Sequence, residues 1–394
     1  MNNITVKEFM EEFYRPLKEL EFRLYDENIK NRARNNYQRD YSRILYSASF
    51  RRLQGKMQLL GVQSDKFHRN RLTHSFEVAQ IARGIAEKLN AESGLNDVYT
   101  DDIYVVEAGA LAHDIGNPPF GHHGERVLHT LMKDEGGYEG NAQSFRVLNE
   151  LEKKLPNAKG LNLTFRTLLS IVKYYKTDYH ISNKFIYRED FDLINQKLSD
   201  REPEPRTVDV QIVDLADEIA YAAHDLEDAL SSSLFSIDEY IYEFDKNVKD
   251  NDDVKREKLE ELVEKAKNVA YKAEMHKSSE EYGFLFRKEL ISNLVHTLIE
   301  DIGIVKVDDK HRTETGTLNE YELGFTTLKS FSKQLKDKTF ASINRTNAVQ
   351  LYEKQGERVI KGIFDALTDE KFNKRNLLLP VEYRGMKDEI HKRG

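Results

Sequence analysis

An all-α fold is what this sequence predicts, and three observations lead to it. Apolar residues recur at intervals of three and four through most of the chain, the period of a helix with one buried face. Proline and glycine, the usual breakers of helices, number only 7 and 20 in 394 residues. The longest periodic runs, "LTHSFEVAQIARGIAEKLN" and "VQIVDLADEIAYAAHDLEDAL", are too long for strands. A single all-α globule over 1–394 is expected.

The elements follow in order. Val6 to Leu24 reads as an amphipathic helix, and "YSRILYSASFRRLQGKMQLLG" as a helix with a basic face closed by Gly61. The loop "VQSDKFHRNR" leads into the next helix, where Phe76, Ala79, Ile81, Ala82, Ile85, Ala86 and Leu89 supply the apolar stripe. A loop from Ser93 to Asp97 precedes a helix from Ile103 to His113. The glycine-proline segment 115–124 breaks it, and a further helix resumes near Glu125. Phe165 to Tyr175 looks helical, and "TDYHISNKFIYRED" reads as a short extended excursion. "REPEPRTVD" is a loop, with Asp209 a candidate cap for the helix that follows. Residues 245–281 are densely and evenly charged, which predicts a solvent-exposed helical arm. Helices around Phe284 to Ile299 and Asn347 to Leu367 complete the chain.

Composition narrows the function classes. With 39% hydrophobic and 32% charged residues the chain reads as a soluble globular protein. No apolar run is long enough for a bilayer and no signal-peptide core opens the chain, so no membrane partner and a cytoplasmic location are expected. There is no cysteine, so any metal must be held by His, Asp or Glu. A net charge of -8 argues against general nucleic-acid coating. Locally the balance reverses: Arg51, Arg52, Lys56, Lys66, Arg69 and Arg71 face the single acid Asp65, which suits a small polyanion.

Three elements carry metal-type side chains. His74 lies on one helix, and the pair His113-Asp114 ends another. On the third, Asp217, Tyr221, His224, Asp225 and Asp228 fall within about a 100° sector of one helical face. The opposite face carries Ile212, Leu215, Ile219, Ala223, Leu226 and Leu230 for the core. His74, His113, Asp114 and Asp217 together offer two imidazoles and two carboxylates. That donor set suits Mn²⁺, Mg²⁺, Fe²⁺ or Zn²⁺ in a site with positions left open.

Five segments, "RDYSRILYSASFRRLQGKMQ", "HRNRLTHSFEVAQIARGIA", "LAHDIGNPPFGHHGE", "YEGNAQSFRVL" and "DLADEIAYAAHDLEDAL", together resemble the HD superfamily of metal-dependent phosphohydrolases. More narrowly they are similar to its bacterial dGTP triphosphohydrolase-like branch. They span about residues 39 to 231, roughly half the chain. The resemblance implies a helical HD core over 66–232, further N-terminal helices, and a C-terminal helical region over 233–394. It implies hydrolysis of a dNTP, with dGTP the default, to deoxynucleoside and inorganic triphosphate. Metal binding by His74, His113, Asp114 and Asp217 is implied, with His122 and Glu125 as the catalytic pair. Arg71 matches a phosphate-contacting arginine and Gln58 a glutamine near the sugar. Tyr221 and Asp225 match the pair that senses the deoxyribose. Lys173, Tyr174 and Lys184 match triphosphate-binding positions. Asn117 stands where some relatives have a further histidine, and is expected to hydrogen-bond locally or to phosphate. His123 is expected to be structural or exposed. The family also implies a homo-oligomer, hexamer or tetramer, a dNTP effector at an intersubunit site, and single-stranded DNA as a partner.

Two other readings stay open at this stage. One is an HD phosphohydrolase acting on another nucleotide phosphoester. The other is a catalytically silent sensor of nucleotides or single-stranded nucleic acid.

Overall fold

The computed structural model describes residues 4–27, 33–58, 69–180, 182–245, 253–272, 277–343, 347–369, 371–381 and 384. Gly61, Lys66 and the 246–252 and 273–276 parts of the charged segment lie outside them.

The helices run in order α1 (Val6–Phe9), α2 (Asn36–Leu45), α3 (Ala48–Arg52), α4 (Arg71–Ser93), α5 (Ile103–Ala112), α6 (Gly121–Leu131), α7 (Gly140–Arg146), α8 (Phe165–Leu169), α9 (Arg188–Leu198), α10 (Val208–Ser231), α11 (Ile237–Asp245), α12 (Asp253–Ala270) and α13 (Ser279–Glu300). A strand β1 (Ile302–Lys306), helix α14 (Asp309–Thr315), strand β2 (Tyr321–Phe325), α15 (Lys329–Ile343) and α16 (Asn347–Thr368) follow. The fold is all-α in class, and β1 pairs antiparallel with β2, Ile304 opposite Leu323.

The centre is α5, with α4 and α10 packed against it and against each other. Val105, Val106, Ala108 and Leu111 of α5 are fully buried, as befits a helix apolar on all sides. Asn70 caps α4 by accepting from the Thr73 N–H, and Gly94, at φ 63°, ends it in the left-handed region. On α10, Ile212, Ile219, Ala223 and Leu226 are fully buried, as their spacing predicts. The opposite face of α10 is thereby left to the site. The core is continuous from Phe9 to Leu335, so α13 and α15 of the C-terminal region close over α10.

Several elements depart from expectation. The first helical stretch ends at Leu20, not Leu24, after a wide turn (Met10–Tyr14) and a tight one (Arg15–Leu20) containing Pro16. The expected helix through 41–61 breaks after Leu45, because the Ser47 hydroxyl caps a new helix at Phe50 N. Phe76 is exposed, edge-on to Phe50, so the buried stripe of α4 is narrower than its composition. Helix α8 stops at Leu169, six residues before Tyr175, and "TDYHISNKFIYRED" forms no strand among the described residues. Thr207, not Asp209, caps α10. Asp209 is fully buried and accepts from Arg166 Nε at 2.8 Å and Tyr99 Oη at 2.7 Å. Helix α12 is no free arm: Leu259, Leu262, Val263 and Ala266 bury one face, and α12 packs on α13. The hairpin was not anticipated, since each strand has only five residues and two contain glycine at 303 and 324.

Candidate metal centre and active site

The site is built where the start of α4, the end of α5 and the middle of α10 meet. His74 lies in the first turn of α4, His113 caps α5 with Asp114 next to it, and Asp217 faces them from the middle of α10. His74 Nε2 is 3.1 Å and His113 Nε2 3.4 Å from Asp217 Oδ1, and His113 Nε2 is 3.5 Å from Asp114 Oδ1. Ligand atoms of His74, His113 and Asp114 all lie within 4.8 Å of one another.

The surroundings orient these atoms. His113 Nδ1 lies 2.6 Å from the Ala110 carbonyl, which can only accept, so Nδ1 carries the hydrogen and Nε2 presents its lone pair inward. That Nε2 is buried and has no hydrogen-bond partner. Asp114 turns Oδ2 to Arg71 Nη1 at 2.6 Å, while Asn117 Nδ2 donates to Oδ1. Burial opposes a charge on His113, but Asp114 and Asp217 outweigh it and raise its pKa to about 9. Burial likewise works against the Asp217 carboxylate, yet His113, His74 and Lys173 hold its pKa well below the ordinary range. A cluster that attracts a proton this strongly is short of positive charge. With a cation in place of that proton, the inward His113 Nε2 lone pair and the two facing carboxylate oxygens would serve as its ligands.

Around the cluster the structure gathers the other residues picked from the sequence. Arg71 is almost fully buried, its Nε unpartnered, and the Tyr221 side chain interacts with its guanidinium. The Tyr221 ring lies 5.2 Å from that of His74. Asp225, one turn further on α10, is buried; burial, then the charge of Asp228, hold its carboxyl well above the usual pKa. His224 and Asp228 share this face of α10 but are engaged by residues outside the cluster. His224 Nδ1 lies 3.2 Å from Glu77, and Asp228 accepts from Arg69 at 2.5 Å. Gln58 follows the short bridge of Met57 to Asn70 that leads into α4, and both its amide atoms are buried without a partner.

A second group stands at the start of α6. Phe120 (φ 66°) and Gly121 (φ 57°) turn the chain after Pro118-Pro119, and the positive φ at 121 favours glycine there. One turn of α6 then sets His122 against Glu125, Nδ1 to Oε2 3.1 Å. Glu125 Oε1 accepts from Gly140 N at 3.2 Å and Lys184 Nζ at 3.3 Å. Burial opposes its charge, but His122 and Lys184 bring the carboxyl down to about 2. His123 points away, between Glu353 and Glu357 of α16. Lys173 Nζ is 2.6 Å from Asp214 and 4.0 Å from Asp217. The Tyr174 ring stands between the two lysines, 5.8 Å from Lys173 Nζ and 5.6 Å from Lys184 Nζ.

Residues 71–222 match the HD domain family model, a span that opens at Arg71 and closes just past Tyr221. The chain is 44% identical over 390 residues to deoxyguanosinetriphosphate triphosphohydrolase-like protein 2 of Vibrio cholerae serotype O1, covering 98% of this chain and 91% of that one. The chain belongs to the HD-domain dGTP triphosphohydrolase-like family. A further member, the deoxyguanosinetriphosphate triphosphohydrolase-like protein of Shewanella sediminis, is 33% identical, with 93% of this chain and 87% of that one aligned. Its counterpart in Shewanella oneidensis is also 33% identical, over 88% and 84%. In this family member no helix among the described residues is long and apolar enough to cross a membrane.

Sequence reasoning missed Glu139, Asp214 and Arg206, and it read Lys56 only as part of the basic island. Lys56 donates to the Ile115 and Asn117 carbonyls at 3.1 and 2.6 Å and so holds the turn after Asp114. Glu139 accepts from Lys184 at 2.9 Å. Asp214 and Arg206 lie behind Lys173. Asp214 precedes Asp217 by three residues on one helix, a spacing that was available in the sequence.

Proposed function

We propose that the protein is a metal-dependent dNTP triphosphohydrolase, splitting a dNTP into deoxynucleoside and inorganic triphosphate. The observation that carries this reading is the convergence of His74, His113, Asp114 and Asp217 beside a buried arginine and two lysines. Phosphohydrolase names among the relatives support it. His74, His113, Asp114 and Asp217 would hold the cation, which, when bound, acidifies a water and polarises a phosphate oxygen.

The protein's own groups divide the remaining work. Arg71 offers its fork to phosphate oxygens while Asp114 fixes its direction. Lys173 and Lys184 present ammonium groups to the rest of the triphosphate. Because the ionised Glu125 accepts from His122 Nδ1, His122 keeps Nε2 for proton transfer to the leaving 5′ oxygen or from the nucleophile. Gln58, with a free donor and a free acceptor, suits a sugar hydroxyl. Tyr221, packed against His74, leaves little room for a ribose 2′-OH, and Asp225 is placed to bond the 3′-OH.

The test is turnover of each dNTP and rNTP with Mn²⁺ or Mg²⁺, reading out the phosphate product. Tripolyphosphate from dNTPs, and little turnover of rNTPs, is expected. Orthophosphate or pyrophosphate as product would move the protein to another phosphoester reaction. Retained turnover in His113→Ala with Asp217→Ala would show that this cluster is not the active centre.

A further inference from the structure

Lys173 is anchored from behind by an unbroken line of charged side chains that ends in the C-terminal hairpin. Its ammonium meets Asp214 Oδ1 at 2.6 Å. The other oxygen, Oδ2, accepts from Arg206 Nη2 at 2.8 Å. Arg206 Nε donates to Glu322 Oε2 of β2 at 3.0 Å, and His311 Nε2 of α14 lies 2.9 Å from the same oxygen. Arg206 and Glu322 are almost fully buried. Thr317 and Asn319 donate to Glu322 Oε1, so the carboxylate is fixed on both sides.

The hairpin region also holds the backbone that carries the lysine. Arg206 Nη1 donates to the Lys173 carbonyl at 2.9 Å. Tyr175 N donates to the Thr315 carbonyl at 2.7 Å, and Lys176 Nζ to that of Thr313 at 2.9 Å. Gln211, in the first turns of α10, bonds both the Arg206 carbonyl and Leu323 N. One arginine thus grips Lys173 at its backbone and, through Asp214, at its side-chain tip.

We propose that Glu322, acting through Arg206 and Asp214, is a positioning residue for Lys173, so that the C-terminal hairpin sets the grip on the substrate's triphosphate. The proposal rests on the dNTP reading above. A lysine stem left alone samples many rotamers and loses that freedom when it binds phosphate. Here the freedom is already lost, because two acids of α10 and a shared guanidinium leave the ammonium one place to be. Glu322 matters because Arg206 is divided between two carboxylates. With the charge of Glu322 gone, Arg206 turns wholly to Asp214 and competes with Lys173 for it. The lysine then loses its anchor although nothing near it has changed.

The test is calorimetric binding of tripolyphosphate to the Mn²⁺-loaded full chain, in wild type, Lys173→Met, Glu322→Gln and the double variant. Lys173→Met is expected to weaken binding about tenfold, and Glu322→Gln about three- to tenfold. The double variant should bind no worse than Lys173→Met alone, because the second change acts only through the lysine. Glu322→Asp should restore part of the affinity. Bound metal per chain and the unfolding midpoint show whether each variant is intact, and Asp214→Asn enters the same cycle if Glu322→Gln does not fold. Glu322→Gln without effect, or with the same effect when Lys173 is absent, overturns the proposal and leaves the function untouched. A wild type that holds Mn²⁺ yet does not bind tripolyphosphate overturns both.

Discussion

His122 and Glu125 share one turn of α6 but not one environment. Glu125 is nearly buried, bonded on both oxygens and ionised down to a pH of about 2, whereas the His122 side chain is 60% exposed. A carboxylate that stays charged throughout the working range cannot supply the proton, so in the proposed mechanism Glu125 is the orienting group and His122 the one that transfers. His122→Ala is therefore expected to lower kcat about 10²- to 10⁴-fold with bound metal unchanged. In Glu125→Gln, kcat should fall while any acid limb of the pH-rate profile between pH 8 and pH 4 stays in place. An acid limb that disappears in Glu125→Gln would reverse the two roles. At this scale the sequence was most legible where chemistry is rare. His74, His113, Asp114 and Asp217 are singled out by residue type together with the family resemblance, and their side chains meet in the structure. His224 and Asp228 share helical spacing with Asp217, yet Arg69 and Glu77 claim them, and no spacing rule discloses a partner from a distant segment.

The long helices follow from local rules: caps at Asn70 and Thr207, a stop at Gly94, and stripes of the right period. The departures arise where a tertiary partner overrides those rules. Asp209 has the composition of a cap, but the buried Arg166 requires a carboxylate and Thr207 takes the end of the helix. Asp190 in the first turn of α9 shows the cost of such a placement. It is 5% exposed, its Oδ2 has no partner, and burial, only partly offset by Arg146, raises its pKa to about 7. The native state therefore holds this proton more tightly than the unfolded chain does. Asp190 contributes fully to stability below about pH 4, and that contribution is lost as pH rises towards about 7. The loss is about 1.4 kcal/mol per unit, or about 4 kcal/mol across the window. Asp190→Asn keeps the shape without the charge. Its unfolding midpoint should rise relative to wild type from pH 5 to pH 7 and level off by pH 8. Parallel curves would mean that Asp190 is ionised at little cost.

For the whole molecule, the HD core was readable in outline because its motifs are long, while the C-terminal third was readable only as helices. The hairpin escaped notice because two five-residue strands leave little period to detect, and its contribution to the Lys173 loop comes from pairings far apart in sequence. The same region presents exposed apolar side chains. Leu351, Val359 and Ile363 recur on α16 at eight and four residues and are 61%, 47% and 55% exposed. Helix α16 rests on α6, the helix of His122 and Glu125, so whatever covers its outer stripe bears on the site. We propose a second copy of the chain as the occupant of that stripe, in keeping with the homo-oligomer that the family resemblance implies. Sedimentation should give a multiple of the 46.0 kDa chain mass. Val359→Lys with Ile363→Lys should lower that multiple without lowering the unfolding midpoint of the chain itself, since neither side chain is part of the core. A wild-type mass of one chain, or an assembly that survives both lysines, would place the contact elsewhere or remove it.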